Sequence, residues 1–345
     1  MDWAFTDSQL GGIAILKYAW IVGLLLMLPP QPSQPSQPQQ QPPKPLKSQP
    51  PQQIEQQASD PLSLEHEGRA IGIAARNDYA LPGQTIVDTD KLDALISKVE
   101  KQLYKAPVNA KIGDSGRIVA EQQGFKLNRE SFTEQFYSYF YGSGQTSIQA
   151  PLTPIYARVD SELLAHIRQK PIGQYTTYYN TGNKNRSHNV ALAAKSINNV
   201  VLFPGELFSF NRVVGIRTKQ KGYMRAPVIV RGELAEDVGG GICQVSSTLF
   251  NAADRAGLRI VQRYSHSRHV PYVPSGRDAT VSWGGPDFAF ENQYNQPILI
   301  RAFAGNGMMA VSIYSSDAIE HKPKNVPGIS KRLPEEISIE TKTEQ

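Results

Sequence analysis

The chain has 345 residues, with 36 Lys and Arg against 31 Asp and Glu, for a formal net charge of +5. Its basic residues are scattered among acids and form no stripe, which argues against nucleic acid as a partner and favours a polyanionic wall or a carboxylate-rich peptide. A single cysteine excludes an internal disulfide, leaving that thiol as buried filler, an intermolecular link or a working group.

The N-terminal stretch GGIAILKYAWIVGLLLML, residues 11–28, is apolar apart from Lys17, and Pro29 and Pro30 stop any helix behind it. No small-x-small cleavage site follows, so residues 1–28 are expected to form an uncleaved signal anchor with Lys17 reaching the inner membrane surface. That topology makes a single-pass protein of the bacterial cytoplasmic membrane, with everything beyond it extracytoplasmic. Residues 29–60 are rich in Pro and Gln and too poor in apolar residues to build a core. They read as a disordered tether, able to hold the rest of the chain up to roughly 90 Å from the bilayer in polyproline geometry.

About 260 residues remain, a length that suits two domains. Residues 84–165 read as a small α+β domain. In DTDKLDALISKVEKQLYKAP the residues Leu92, Leu95, Ile96, Val99 and Leu103 share one helix face behind an Asp88-Thr89-Asp90 start. A short strand near Arg117 to Ala120 follows, then a helix, NRESFTEQFYSYFYG, whose stripe of Phe132, Phe136, Tyr139 and Phe140 reads as core.

Residues 173–316 read as the second domain, also α+β: mostly antiparallel sheet packed on two helices, with no βαβ alternation. QYTTYYN alternates as a strand, VALAAKSINN is a helix, and VIVRG, LRIVQRY, ATVSW and FAFEN are strand candidates. PILIRAFAGNGMMAVSIYS is two apolar runs around Asn306-Gly307, a β-hairpin signature. From about Asp317 to residue 345 the sequence reads as a charged, disordered tail.

The one thiol lies in GGGICQVSSTLFNAADRAG, residues 239–257. Gly239, Gly240 and Gly241 allow a sharp turn and close approach to a ligand. The apolar spacing of Val245, Leu249, Ala252, Ala253 and Ala256, ended by Gly257, predicts a helix from about Gln244 to Ala256. Cys243 therefore falls at a helix N-terminus, where unpaired N–H groups and the dipole favour a thiolate. A reactive thiol needs a base, and RYSHSRHVPYVPSGRDATVSW, residues 263–283, offers His266 and His269. Being three apart on an expected strand, they do not both face Cys243. Asp278, expected on the next strand, is positioned to orient an imidazole. Zinc held by these residues is the competing chemistry, but no second Cys or helical His pair supports it, and neither metal nor cofactor is expected.

The segments RSHNVALAAKSINNVVLFPGELFSFNRVVG, GGGICQVSSTLFNAADRAGL, RYSHSRHVPYVPSGRDATV and DFAFEN, in that order, resemble the VanW domain. VNAKIGDSGRIVAEQQGFKLNRESF is similar to the peptidoglycan-binding domain that often precedes it. The resemblance implies an envelope protein acting on peptidoglycan stem peptides, in a family some of whose members are implicated as cysteine L,D-transpeptidases. Carried over by motif, it makes Cys243 the nucleophile, His266 the base and Asp278 its partner, and leaves His269 the weaker base. On that reading Gly239, Gly240, Gly241 and Gln244 form an oxyanion loop, and Arg217, Arg225 and Arg277 are candidates to hold substrate carboxylates. A noncatalytic wall-binding protein, with the glycine loop as a structural turn only, is the alternative.

Overall fold

The computed structural model describes residues 61–230 and 233–329, all within one compact unit, Ile54–Gln345. The expected anchor and nearly all of the expected tether lie outside the described residues. Among the described residues, no helix is long and apolar enough to cross a membrane.

The first half contains β1 (Leu62–His66), β2 (Arg69–Ala74), α1 (Thr89–Leu103), β3 (Lys111–Ile112), β4 (Ile118–Val119), β5 (Gly124–Leu127), α2 (Arg129–Tyr141), β6 (Ser147–Gln149), β7 (Leu152–Ile155) and α3 (Ser161–Ile167). Side-chain oxygens of Asp88, Asn128 and Asp160 cap α1, α2 and α3 by accepting from first-turn N–H groups, as the sequence signal for α1 anticipates. Leu92, Leu95, Ile96 and Val99 of α1 pack with Phe132, Phe136, Tyr139 and Phe140 of α2, so the aromatic stripe is core. That cluster also takes in Leu62, Leu64 and Ala74, because β1 pairs with both β2 and β6. Its structural start therefore lies ahead of residue 84, in strands too short and too polar to register as periodic from sequence.

The second half contains β8 (Lys170–Tyr178), α4 (Lys184–Ile197), β9 (Val200–Leu202), β10 (Leu207–Ser209), α5 (Phe210–Val214), β11 (Arg225–Val230), β12 (Glu233–Val238), α6 (Ile242–Arg255), β13 (Arg259–Gln262), β14 (Ala289–Glu291), β15 (Ile298–Gly305) and β16 (Met308–Ser315). The main sheet runs β8-β16-β15-β9, all antiparallel, with α4 and α6 against it. The β15–β16 hairpin turns at Asn306-Gly307 as its sequence predicts, both residues having positive φ. A smaller sheet, β10-β14-β13, and the hairpin β11–β12 flank it. The fold is thus mixed α+β and mostly antiparallel.

Two expectations change. The segment ATVSW, residues 279–283, forms no strand: it belongs to an irregular stretch between β13 and β14, where Pro271, Pro274, Gly276, Gly284, Gly285 and Pro286 interrupt pairing. The start of the charged tail is ordered. Ile319 and Val326 are buried in the main core, Lys324 pairs with Asp254, and Tyr175 Oη donates to the Pro327 carbonyl at 3.0 Å. Two apolar anchors, Ile319 and Val326, pin a segment that is polar on average.

The two halves join through Asn199, at φ 67°, whose side-chain amide accepts from Ile112 N–H at 2.9 Å and donates to the Ile112 carbonyl at 3.0 Å. A third apolar cluster, including Ile112, Leu164, Ile167 and Leu299, lies around this junction.

In the main core, β8 and α6 approach each other closely at Gly173. A Cβ on Gly173 would meet the Ala252 carbonyl oxygen at 2.3 Å and Ala256 Cβ at 2.7 Å. Gly173→Ala is therefore expected to overpack this contact by about 1–3 kcal/mol and lower the thermal midpoint by several degrees, while Gly328→Ala, which has open space, leaves it near the parent value. Calorimetry of both variants checks this.

Candidate active site

Helix α6 begins two residues earlier than its apolar periodicity suggests, at Ile242, because the glycine loop turns directly into it. Gly239 and Gly241 have φ of 94° and 102°. Gly240 fits because a Cβ there would lie 2.4 Å from the Ala226 carbonyl oxygen of β11. All three glycines are thus required by the backbone path. They deliver Cys243 to the first turn of the helix, half-buried.

The sulfur lies 3.8 Å from Thr280 Oγ1 and 3.6 Å from the Val281 carbonyl oxygen. His266 lies against it from the same irregular stretch. Asp278 Oδ2 accepts from both His266 N–H and His266 Nδ1, each at 2.6 Å, with the two side chains almost fully buried. With Nδ1 committed to Asp278, Nε2 is left to face the thiol. Burial pushes the Cys243 thiol up, but the hydrogen bond and charge of His266, together with the contacts at Val281 and Thr280, outweigh it, and the net shift is down. The imidazole moves the other way: burial opposes its protonation, the hydrogen bonds and charges of Cys243 and Asp278 outweigh that, and its pKa rises. Burial also disfavours the Asp278 carboxylate, but its bonds from His266 hold the pKa below the ordinary value. Both shifts run in the direction that favours proton transfer from the thiol to the imidazole. Burial, then the charge of Cys243, raises the pKa of the nearby Tyr272 phenol.

The scaffold behind this contact comes from residues that the sequence reading passes over. Ser246 Oγ donates to the Ala279 carbonyl at 2.5 Å, and Ser247 Oγ accepts from Ala279 N–H at 2.8 Å while donating to the Cys243 carbonyl at 2.7 Å. Asn251 Nδ2 donates to the Arg277 carbonyl at 2.8 Å, and Arg263 Nη1 to the Asp278 carbonyl at 2.7 Å. The only advance signal was Ser246, Ser247, Thr248 and Asn251 interrupting the apolar residues in the middle of the helix.

The other predicted residues fall as follows. His269 is exposed on the loop beyond His266. Gln244 is fully buried; its oxygen accepts from Arg186 at 2.8 Å and its nitrogen donates to Thr177 Oγ1 and the Tyr178 carbonyl, tying α6 to β8. Arg277 donates to Asn251 and pairs with Asp254 at 2.8 Å, and Arg225 donates to the Glu236 carbonyl across its hairpin. Arg217 lies against the glycine loop. Among the described residues, no group of three or more His, Cys, Asp and Glu is arranged to hold a metal ion.

Residues 185–314 match the family profile "VanW like protein". The chain is also 56% identical over 283 residues to YoaR of Bacillus subtilis (strain 168), covering 93% of that protein and 81% of this chain. The chain belongs to the VanW family. A second relative, the vancomycin B-type resistance protein VanW of Enterococcus faecalis (strain ATCC 700802 / V583), is 36% identical over 124 residues, 33% of this chain and 45% of that protein. Residues 54–146 match the profile "Putative peptidoglycan binding domain", a span that includes β1, β2, α1 and α2 and ends just before β6. No solved structure matches the chain significantly. The VanW match contains Cys243, His266 and Asp278 together with the helix and loop that hold them.

The directions of the pKa shifts fix a pH dependence. Because the thiol is lowered, the thiolate is present from below the ordinary cysteine range, and Cys243 alkylation by iodoacetamide in the intact chain is expected to titrate below a free thiol. His266→Ala removes the leading influence that lowers it, so the midpoint should rise; His269→Ala should leave it in place. Alkylation rates against pH, read by mass spectrometry, check both.

Proposed function

We propose that this VanW-family protein acts on peptidoglycan stem peptides at the cell envelope as a cysteine acyltransferase of the L,D-transpeptidase type. The observation that carries the reading is His266 held between the Cys243 thiol and Asp278. In this reading the N-terminal unit holds the wall and the VanW unit does the chemistry; the relative named for vancomycin resistance and the peptidoglycan-binding match support the same substrate class.

The Cys243 thiolate attacks the carbonyl carbon preceding a terminal D-alanine. The S–C bond forms, the amide C–N bond breaks, and the proton on His266 goes to the departing amine of D-alanine. An amine from a neighbouring stem then attacks the thioester, loses a proton to His266 and releases the thiolate. Asp278 keeps Nδ1 protonated and Nε2 facing the sulfur through both steps. First-turn N–H groups of a helix lack intrahelical acceptors. Ile242 and Gln244 N–H turn back to Gly239 and Gly241 carbonyls at 3.3 and 3.0 Å, so the Cys243 N–H is the donor we assign to the oxyanion. Gln244 acts in this scheme as a buried brace.

Mass spectrometry of the intact chain incubated with a stem tetrapeptide and an amine acceptor tests the reading. Crosslinked product with loss of D-alanine is expected, abolished in Cys243→Ala and reduced about 100- to 10,000-fold in His266→Ala. Tripeptide alone would make the enzyme a cysteine carboxypeptidase. Retained peptide with no turnover would leave a wall-binding protein and overturn the catalytic reading.

A further inference from the structure

Arg217 follows α5 on a short loop, with its stem packed on the turn that leads to Cys243: a Cβ on Gly239 would lie 3.2 Å from Arg217 Cβ and 3.4 Å from Cγ. Its guanidinium sits over the Phe210 ring at 5.7 Å. Both terminal nitrogens are buried, and neither has a hydrogen-bond partner. The neighbouring acid does not serve them. Asp287 is spent on Ser209 Oγ at 2.6 Å, Asn211 N–H at 2.9 Å and Phe288 N–H at 2.8 Å.

The other arginines around the site are engaged. Arg277 pairs with Asp254, Arg263 donates to the Asp278 carbonyl, Arg186 to Gln244, and Arg255 to the Gln174 carbonyl at 2.9 Å and to the Val326 carbonyl. Arg217 alone among these has donors that are buried and unused. A permanently charged, planar fork with no acceptor is unfavourable in the resting protein, and its geometric complement is a carboxylate bound through two parallel hydrogen bonds. Burial is the main influence on the Arg217 guanidinium and pushes its pKa down; the charges of Tyr223 and then Cys243 oppose it, so the fork is within electrostatic range of the sulfur.

We propose that Arg217 binds the free C-terminal carboxylate of the peptide whose last amide bond Cys243 attacks, which restricts the site to chain ends. The proposal rests on the acyl-transfer reading above. In a peptide ending in a free acid, the terminal carboxylate carbon is three bonds, about 3–4 Å, from the scissile carbonyl carbon. An anion anchor beside the nucleophile therefore selects the final residue as leaving group and excludes internal bonds. It also accounts for Gly239, since any side chain there would press on the arginine stem.

Two measurements on the intact chain test this. The first compares alkylation of Cys243 by iodoacetate and iodoacetamide, which form the same S–C bond with loss of iodide but differ in carrying a carboxylate. The iodoacetate-to-iodoacetamide rate ratio is expected to be about tenfold higher in the parent than in Arg217→Gln, with Arg217→Lys between them because it keeps the charge and loses the fork. The second measures binding to Cys243→Ala of a stem tetrapeptide ending in D-alanine and of its C-terminal amide. The acid should bind more tightly, and adding Arg217→Gln should erase the difference. Because no protein hydrogen bond is lost and the aliphatic stem is largely kept, Arg217→Gln is expected to keep its thermal midpoint.

An unchanged alkylation ratio, equal binding of acid and amide to the parent, or a marked fall in thermal midpoint would overturn the proposal. Turnover with acid and amide treated alike would sink this inference and leave the acyltransferase standing. No turnover, with the ratio and the acid preference both intact, would sink the acyltransferase and leave Arg217 as a carboxylate anchor.

Discussion

The site depends on the satisfaction of polar groups on a buried helix. Eleven of the fourteen residues of α6 are buried, and five of these, Gln244, Ser246, Ser247, Thr248 and Asn251, are polar. An unsatisfied polar group in such a place costs about 1–3 kcal/mol, so each must find a partner; outside the helix these are the backbone of residues 277–279, Thr177 and Tyr178 of β8, and Arg186. The same bonds that keep the helix from carrying orphaned polar atoms give an irregular loop a fixed path. That loop has no sheet ladder of its own, yet it carries Asp278 to His266 and His266 to Cys243.

The glycine turn supplies the complementary constraint. Two positive φ angles and one close approach to the Ala226 carbonyl let β12 end and α6 begin within three residues, which places the thiol where first-turn N–H groups point outward. Electrostatics then act on a prepared geometry. Burial by itself would make Cys243 an ordinary protonated thiol; His266, fixed by an almost fully buried carboxylate, reverses the direction. Charge, packing and backbone path meet in one small region, and there Arg217 has two buried donors that stay unused.

The N-terminal half is built differently. Its core is aromatic and apolar, its helices are capped by Asp and Asn, and it meets the VanW half through the Asn199 amide and the apolar cluster around Ile112 and Leu299. A side-chain amide pairing with both polar groups of one backbone residue mimics a sheet ladder across two halves that share no continuous strand. The match to the profile "Putative peptidoglycan binding domain" lies in this half, and the thiol lies in the half that matches the VanW profile.

The sequence by itself determined what local chemistry dictates: the amphipathic α1, the aromatic face of α2, the Asn-Gly hairpin, the glycine turn and the placement of the lone cysteine at a helix start. It also determined the family, because four motifs occur in order, and it picked out Cys243, His266 and Asp278 as a set. Local patterns could not reveal the irregular path of residues 263–288, since that path is fixed by bonds from Ser246, Ser247 and Asn251 that span from 26 to 33 positions in sequence. Nor could they separate Arg217 from Arg225 and Arg277. Three arginines have the same side chain, and only the tertiary structure decided which had acceptors within reach. For the same reason the segment after Asp317 read as tail: its charge is local, while the cavities that take Ile319 and Val326 are made by residues far away in the chain.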